Sequence, residues 1–454
     1  MKNHLYDFAK KIQQFPRSLT GIGNRQTLNE IKKILPSLKL RRIKSGKKIF
    51  DWKVPYEWHV DEAFIIDPKG KKIVDIKKNI LHLVGYSMPI NKVFSLEELQ
   101  KFLHSDPEKP NAIPYVTSYY KKTWGFCLQD SLRKNLKKGK YKVTIKSSLK
   151  KGWMDYAEIY IKGKSKKEIF FSSYICHPFM ANNEISGPSV LTHLLKEIIL
   201  KKKKYFSVRA VFVPETIGSI AYIKKNLNSM RKNIFSGFNI TCVGDQRCYS
   251  YIPSRRKNSL SDKVALHSLN WVKGNVKKYS WLERGSDERQ YCSPGVNLPI
   301  ASITRSKYGE YKEYHTSEDN FDTVVTKKGL NESLELYVNL HEIIEKNFYP
   351  KARFPCEPQL GKYNLYDPFR KNKYTKKKFN STLTDPLNNM LSYCDGEHSL
   401  VDIADILDQP VWALFDFYKI LVEKKNLKRW EARNFLISLL ALLFKLRFKQ
   451  ILWT

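Results

Sequence analysis

Three apolar stretches of this sequence are each followed by a histidine or an acidic residue, and another histidine lies in an acid-rich loop. His177, Glu215 and Asp245 each come after an apolar run, and His315 lies within the loop Glu313–Asp322. Two histidines and several carboxylates together suit a zinc ion, because zinc binds imidazole nitrogens and anionic oxygens and can keep one position for water. Such an ion polarises a carbonyl group and lowers the pKa of water to about 7. These residue types therefore predict metal-assisted hydrolysis, provided that the fold brings them together.

The elements around these residues alternate between strand and helix. Apolar runs predict strands at Ile169–Ile175, Val208–Val213 and Phe238–Val243, and helical spacing predicts helices at Val190–Leu200 and Ile217–Lys225. Alternation of this kind is typical of a doubly wound α/β sheet. Open α/β sheets bind their ligands at the carboxyl ends of the strands, which is where the candidate residues stand.

The composition and the pattern of apolar residues change along the chain and predict five segments. Short alternating runs with several prolines between Pro55 and Pro114 predict a β-rich insert. Three short helices after a linker rich in Pro, Lys and Asn predict a winged helix. The predicted boundaries are 1–47 with 136–348 for a discontinuous α/β domain, 48–135 for the insert, 349–380 for the linker, 381–430 for the winged helix and 431–454 for an amphipathic helical tail.

The charge balance of the 454-residue chain is strongly positive. It has 81 Lys and Arg residues against 44 Asp and Glu residues, a net charge of +37. Because lysine and asparagine are abundant along the whole chain, we attribute this charge to compositional bias rather than to a polyanion partner. The last predicted helix of the winged helix, Val411–Val422, is mostly apolar and offers few side chains that could reach base edges. We therefore expect this domain to pack against a protein partner or a second copy of the chain, and not to bind nucleic acid.

The sequence gives two indications of location. Its seven cysteines are irregularly spaced without a CxxC pair, which argues against a disulfide framework and fits a reducing cytoplasm. The N-terminal stretch lacks the apolar segment of a signal peptide. The longest apolar run, Phe435–Phe444, is too short to span a bilayer. We expect the tail to dock on the protein, with peripheral contact at a membrane surface as the alternative.

The order of the motifs resembles that of the aminopeptidase-like zinc exopeptidases. The motifs that carry the likeness are long and specific: Ala181–Gly187, Glu215–Ser219, Gly285–Gly295 and Tyr314–Thr316. The likeness is closer to a subfamily of aminopeptidase-like proteins that have an inserted β domain and a C-terminal winged helix and are often associated with polysaccharide-biosynthesis loci. It extends from the N-terminal helices to about Arg429. It implies a zinc-exopeptidase-like α/β fold, with a mixed or parallel sheet flanked by helices.

The resemblance also implies roles for individual residues. His177 and His315 match the first and last histidine ligands of the family, and Glu215 matches its general base. Asn183 stands where the zinc exopeptidases place an aspartate that bridges two ions. Because an amide oxygen carries no charge, we expect one zinc ion rather than two. The expected metal ligands are His177, Asn183, Asp245 and His315. The residues expected to contact the substrate are Glu184, Asp287, Glu288, Arg305 and Tyr308.

Structural roles remain open for several of these acids. The alternatives are a cap by Glu215 on the helix that begins at Ile217, an ion pair of Asp245 with Arg247 or Arg255, and a network of Asp287 and Glu288 with Arg284 and Arg289.

We expect a zinc-dependent hydrolase that cleaves an amide bond in a small peptide or in an aminoacyl or acylamino sugar, with a link to surface-polysaccharide biosynthesis. Two other functions remain open. One is a catalytically degenerate protein that binds a peptide or glycan on the same scaffold, since Asn183 replaces the bridging acid. The other is a regulator that binds nucleic acid through its winged helix, which the charge of +37 would favour.

Overall fold

The computed structural model describes residues 2–365 and 386–424. The chain divides into two compact units, one of residues 1–262 and 273–338 and one of residues 263–272 and 339–454. In chain order, the helices of the described residues are α1 (Lys2–Gln13), α2 (Ile22–Ile34), α3 (Leu96–Gln100), α4 (Asp130–Lys134), α5 (Ser186–Leu200), α6 (Ile217–Asn233), α7 (Leu260–Asn270), α8 (Glu288–Tyr291), α9 (Lys327–Lys346), α10 (Pro386–Ser392), α11 (Leu400–Ile406) and α12 (Val411–Glu423). The strands are β1 (Lys39–Lys44), β2 (Lys48–Ile49), β3 (Trp52–Lys53), β4 (Glu57–Ile66), β5 (Lys72–Asp75), β6 (Ile90–Ser95), β7 (Leu103–His104), β8 (Phe126–Cys127), β9 (Lys140–Lys150), β10 (Trp153–Ile161), β11 (Ser165–Tyr174), β12 (Phe206–Val213), β13 (Ile234–Asn239), β14 (Tyr249–Ile252), β15 (Val276–Lys278) and β16 (Ile300–Thr304).

The larger sheet of the first unit has eight strands in the order β1-β10-β12-β11-β13-β16-β14-β15. Its centre is parallel, with β11 between β12 and β13, and β16 beyond β13. Antiparallel pairs flank this centre, because β10 runs against β12, β1 against β10, and β14 against β16. The fold class predicted from the sequence, a mixed sheet flanked by helices, is confirmed.

Strand β11 is the central strand that leads to the candidate site. Every residue from Glu168 to Tyr174 is buried, as expected for a parallel strand within a sheet, and α5 and α6 pack against it. The one carboxylate in this run, Glu168, accepts two hydrogen bonds from the guanidinium of Arg209 on β12, at 2.6 and 2.9 Å. The strand ends at Tyr174, so the residues that follow leave the sheet at its carboxyl edge.

The insert forms a second sheet that is antiparallel and has the order β5-β4-β9-β6. Its long strand β9 pairs with both β4 and β6. The predicted end of the insert at residue 135 is therefore placed too early, because β9 begins at Lys140 and belongs to this sheet. Val143 of β9 shares one buried apolar cluster with Ile217 and Ile220 of α6. The insert and the larger sheet are thus joined by a common core.

The second unit contains α10, α11 and α12. Helix α11 begins with a capping box, in which the side chains of Ser399 and Asp402 each accept a hydrogen bond from the other's backbone N–H. Leu400 and Phe417 are buried within this unit. The predicted wing after residue 426 and the tail 431–454 lie outside the described residues, and the partner expected for this domain stays a prediction. Part of the predicted linker is structured, since Lys351 forms a β-bridge with Asp395. Among the described residues, the helices fall short of what a membrane crossing requires in length or apolar character.

Candidate active site

The site begins where the chain leaves β11. His177 follows the end of the strand, and a single π-helical turn, Ala181–Ile185, leads into α5. Gly187 lets the start of α5 lie close to the backbone that follows β13, because a Cβ atom at residue 187 would lie 2.4 Å from the carbonyl oxygen of Ile240. The strand and the helix are therefore joined so tightly that the polar residues 177–184 are fixed at the carboxyl edge of the sheet.

The His177 ring lies between two carboxylates. Its Nδ1–H donates a hydrogen bond of 2.8 Å to Oε2 of Glu184, and its Nε2 is 3.7 Å from Oε2 of Glu215. Burial lowers the pKa of His177, but the hydrogen bond to Glu184 and the charges of Glu184 and Glu215 outweigh burial, so that the pKa is raised. In the neutral form of the ring the proton stays at Nδ1, and Nε2 then offers a lone pair to a metal ion.

His315 lies beside His177. The two ring centroids are 5.6 Å apart, and Tyr314 stacks on His315 at 3.9 Å. Burial, with the neighbouring charges of His177 and Lys109, lowers the pKa of His315 to about 3, so this ring stays neutral. Its Nε2 atom is buried, and no residue in the described part of the chain hydrogen-bonds it. The structure thus brings together both histidines that the sequence selected, although they are far apart in the chain.

Glu215 reaches the same place from the carboxyl end of β12. Its backbone N–H donates to Sγ of Cys176 at 3.2 Å, which ties this loop to the end of β11. Burial raises the pKa of Glu215, against the opposing charges of His177 and Arg289. A carboxylate with a raised pKa next to histidines has the properties of a general base.

Glu184 is paired with a buried arginine from the N-terminal segment. The side chains of Arg17 and Glu184 are both fully buried, and Nε of Arg17 lies 3.9 Å from Oε1 of Glu184. The same Nε donates to the carbonyl oxygen of His177 at 3.0 Å. Burial lowers the pKa of Arg17 to about 10, although the charge of Glu184 opposes this shift. Glu184, predicted to contact substrate, therefore orients His177 instead.

Asn183 lies in the π-helical turn with its amide fixed from one side. Its Nδ2 donates to the hydroxyl of Tyr174 at 2.8 Å and to Sγ of Cys242 at 3.8 Å. Its Oδ1 is buried and accepts no hydrogen bond from residues 2–365 or 386–424. Thr241 donates its hydroxyl proton to Tyr174 or to the Asn183 carbonyl oxygen. The only unsatisfied atom of the Asn183 amide is thus an oxygen that could serve as a neutral ligand.

Asp245 differs from its predicted role as a metal ligand. Its Oδ2 accepts hydrogen bonds from Nδ2 of Asn182 and from the Ser306 backbone, at 3.1 and 2.8 Å. Its Oδ1 accepts from the backbone N–H of Arg247 and from the hydroxyl of Ser306, at 2.8 and 3.0 Å. Because a carboxylate has about four lone-pair sites, these four bonds use all of them. Asp245 therefore acts as an anchor between three loops.

The remaining residues predicted to contact substrate are engaged within the protein. Asp287 and Glu288 are completely buried, and the hydroxyl of Tyr308 donates to Oε1 of Glu288 at 2.7 Å. Arg305 is 3% exposed; its guanidinium stacks over Tyr249 and lies 3.3 Å from a Glu332 carboxylate oxygen. Asp287 Oδ2 and Arg305 Nε are buried without a hydrogen-bond partner among the described residues, and contact of these four residues with a substrate stays a prediction.

Four side chains of this region carry donor atoms that suit a divalent ion: the nitrogens of His177 and His315, the carboxylate of Glu215 and the amide oxygen of Asn183. Among the described residues, however, the group whose three ligand atoms lie within 4.8 Å of one another is Cys176 with His177 and Glu184, and the set of His177, His315 and Glu215 is less compact. The group with Cys176 suits a cation poorly, because Arg17 already balances Glu184, and burial with nearby carboxylates raises the pKa of the Cys176 thiol. The two histidines are the better centre.

Sequence reasoning missed three residues at this site. Arg17 is far away in the chain and has no local signal. Tyr115 comes from the insert, and its ring lies 5.2 Å from the rings of both histidines. Asp319 accepts hydrogen bonds from the backbone N–H groups of Asn182 and Asn183, at 2.7 and 2.9 Å. Only Asp319 had a sequence signal, since it lies in the acid-rich loop.

The segment of the insert around Ile113 and Tyr115 is joined to the loop of His315 through backbone hydrogen bonds. The N–H of Tyr115 donates to the carbonyl oxygen of His315 at 2.8 Å, and the N–H of Ser317 donates to the carbonyl oxygen of Ile113 at 2.9 Å. The insert therefore builds one wall of the site.

Comparison with known proteins places this geometry in a family. A family model described as Domain of unknown function (DUF4910) matches residues 6–347. The chain belongs to the DUF4910 family. A second model, described as winged helix-turn-helix, matches residues 348–429 of this DUF4910 protein and confirms the predicted C-terminal domain. The resemblance to aminopeptidase-like proteins with an added winged helix is likewise confirmed.

Relatives of this DUF4910 protein carry peptidase names. A Clostridium acetobutylicum protein is 39% identical over 88% of this chain and 90% of its own length; its provisional name describes a polysaccharide biosynthesis protein with an aminopeptidase-like domain. A crystal structure from the same organism, provisionally called a peptidase, has a TM-score of 0.86 and 36% identity over 94% of this chain and 96% of its own. A Bacillus subtilis zinc aminopeptidase has a TM-score of 0.54 and 12% identity over 76% of this chain and 95% of its own, which shows a shared fold.

Proposed function

We propose that this DUF4910 protein is a metal-dependent hydrolase that cleaves an amide bond and uses a single zinc ion. The observation that carries the proposal is the pair of adjacent histidines, of which His177 has its Nδ1 fixed by Glu184 and His315 has a buried Nε2 without a partner. A buried imidazole that stays neutral and unpaired is costly in a folded protein unless a ligand satisfies it.

The chain's own residues have distinct tasks in this proposal. His177 and His315, with Glu215 or Asn183, would hold the ion, which supplies a Lewis acid and lowers the pKa of water. Glu215 takes the proton from the attacking water and passes it to the leaving nitrogen, which its raised pKa favours. Glu184 accepts the Nδ1 proton of His177 in a hydrogen bond, and the guanidinium of Arg17 lies beside Glu184. Tyr115 covers both histidine rings on the side of the insert.

We further propose that the substrate is a small peptide or an aminoacyl or acylamino sugar. The peptidase fold supports an amide substrate, and the polysaccharide-biosynthesis name of the Clostridium relative supports a sugar conjugate. The rings of Tyr115, Tyr174 and Tyr314 lie against the histidine rings, and apolar faces of this kind would pack against a small substrate. A cytoplasmic location also remains part of this proposal.

The test combines metal analysis with a substrate panel. Protein purified without chelator is analysed for zinc, manganese and cobalt, and then assayed on aminoacyl 4-nitroanilides and on N-acylated amino sugars. We expect about one equivalent of metal and activity that chelation abolishes. Glu215→Gln should lower kcat by about 10²- to 10⁴-fold while the histidines are intact. Less than a tenth of an equivalent, with no rescue on adding the ions, contradicts the proposal.

The second candidate function is a binding protein without catalysis. Asn183 stands where the zinc exopeptidases place a bridging aspartate, and its Nδ2 is bound to the Tyr174 hydroxyl. If the charge deficit has abolished metal binding, Asn183→Asp should create zinc affinity that the parent lacks. Equal affinity in the two proteins argues against this candidate.

A further inference from the structure

Thr216, the residue after Glu215, has a backbone conformation that β-branched residues rarely adopt. Its φ is 65° and its ψ is −75°, and the N–H of Ile217 donates to the carbonyl oxygen of Glu215 at 2.8 Å. This hydrogen bond closes a γ-turn with positive φ, a rare and strained conformation. Strain of this kind persists only where the surrounding structure imposes it, and it concentrates at functional sites.

The surrounding structure here is the segment Gly285–Arg289. Oδ1 of Asp287 accepts hydrogen bonds from the N–H of Thr216 at 2.7 Å and from the hydroxyl of Ser219 at 2.8 Å. Nη2 of Arg289 donates to the Thr216 hydroxyl at 3.0 Å, while its Nε is anchored on the Ser286 carbonyl oxygen at 3.0 Å. The turn is therefore held from its backbone and from its side chain.

The segment Gly285–Arg289 is itself fixed by Glu288. Oε1 of this fully buried carboxylate accepts from the backbone N–H groups of Gly285 and Ser286, both at 2.9 Å, and from the Tyr308 hydroxyl. Its Oε2 accepts from Nδ2 of Asn239 at 3.1 Å. The side chain of Ser286, held in this way, lowers the pKa of Glu215 against the larger effect of burial, which raises it. The most specific motif of the sequence thus closes on the Glu215–Thr216 turn.

We propose that Asp287 is a positioning residue, which imposes the strained turn at Thr216 and thereby aims the Glu215 carboxylate at the two histidines. The inference rests on the proposed function, because it assigns Glu215 the role of base. It replaces the expected substrate contact of Asp287 with a structural connection to the reacting group. The alternative is that Asp287 merely caps α6, in which case its loss would lower stability without a specific effect on the chemical step.

The first experiment compares Asp287→Ala with Asp287→Asn. Asparagine keeps an Oδ1 that accepts both hydrogen bonds, whereas alanine removes it. We expect Asp287→Ala to lower kcat by up to about 100-fold, the effect of displacing a catalytic group by about 1 Å, with KM and bound zinc unchanged. Asp287→Asn should recover most of kcat. Equal kcat in wild type and Asp287→Ala overturns the inference, as does a loss that appears equally in both variants.

A second background tests the strain directly. Glycine adopts a positive φ without steric cost, so in a Thr216→Gly background the loss caused by Asp287→Ala should become smaller. If Asp287→Ala lowers kcat as much in the Thr216→Gly background as in the wild-type background, the role of the turn is overturned. If Asp287→Ala does not fold, Arg289→Met, which removes the bond to the Thr216 hydroxyl, is measured in the same way and should also lower kcat alone.

A crystal structure of Asp287→Ala separates this inference from the proposed function. If the wild-type protein hydrolyses nothing, the proposed function fails, but the positioning can still be judged from φ at residue 216. A change to negative φ with displacement of Glu215 supports the inference, and an unchanged positive φ overturns it.

Discussion

Replacing Arg17 by methionine tests whether the buried pair with Glu184 holds the site together. Methionine keeps much of the apolar stem but removes the guanidinium, which donates to the carbonyl oxygens of His177 and Ile12 and lies near the Thr27 hydroxyl. Both partners of the Arg17–Glu184 pair are fully buried. Loss of one partner of such a pair leaves a buried charge uncompensated, which typically costs about 3–5 kcal/mol.

Lys33→Met is the matched control for this change. Lys33 also pairs with a glutamate, Glu30, at 2.7 Å, but its side chain is 67% exposed. An exposed ion pair contributes at most about 1 kcal/mol, so the control should hardly change stability. Urea unfolding, followed by fluorescence and circular dichroism, gives the free energy of unfolding for each variant. Coincidence of the two signals shows whether one transition describes the chain.

Arg17→Met should also weaken zinc binding near neutral pH. The charge of Arg17 lowers the pKa of His177, so its removal makes protonation of that ring easier and places protons in competition with the metal. Titration with zinc at pH 6.5 and 8.5 should show the larger loss of affinity at the lower pH. A loss of stability no greater than that of the control, with unchanged zinc affinity, would refute the reasoning that Glu184 is a buried anion balanced by Arg17.

Three further outcomes follow from the packing. Gly187→Ala should lower the free energy of unfolding by about 1–3 kcal/mol, because the new Cβ would lie 2.4 Å from a backbone oxygen. The control Gly295→Ala adds a Cβ in open space and should change the free energy of unfolding by less than about 0.5 kcal/mol. Urea unfolding measures both. Glu288→Gln should lower the free energy of unfolding by about 1–3 kcal/mol, because one of the four donors that hydrogen-bond this carboxylate loses its acceptor. Thermal unfolding measures this change. Burial lowers the pKa of His82 below its unfolded value, so the unfolded chain binds the extra proton and wild-type stability falls as pH drops below about 6.5. His82→Gln should flatten that part of the pH profile of unfolding, and an identical slope would contradict this.

Sequence reasoning recovered the fold because the fold depends on local patterns. The buried run of β11 and the helical spacing of α5 and α6 are visible in the residue types alone, and long motifs carried the family resemblance. The end of the insert was misplaced because β9 is an alternating strand that could belong to either sheet. Only its pairing with β4 and β6, which is a long-range contact, decides the matter.

The candidate site was predictable in its histidines and less so in its acids. His177 and His315 have motifs around them, and the structure brings their rings together. Asp245 and Glu288 looked equally suitable as ligands or substrate contacts, but each accepts four hydrogen bonds within the protein, some of them from residues far away in the chain such as Asn182, Ser306 and Asn239. A sequence shows which residues carry a charge. Whether that charge is already hydrogen-bonded inside the fold depends partly on neighbours that are remote in the chain.

The hydrogen bonds that join Ile113 and Tyr115 to the loop of His315 make the β-rich insertion an integral part of the candidate site. Excising it to obtain a smaller protein would remove backbone partners from the loop that carries a candidate ligand. Exchanging it between relatives, in contrast, would exchange one wall of that site as a unit.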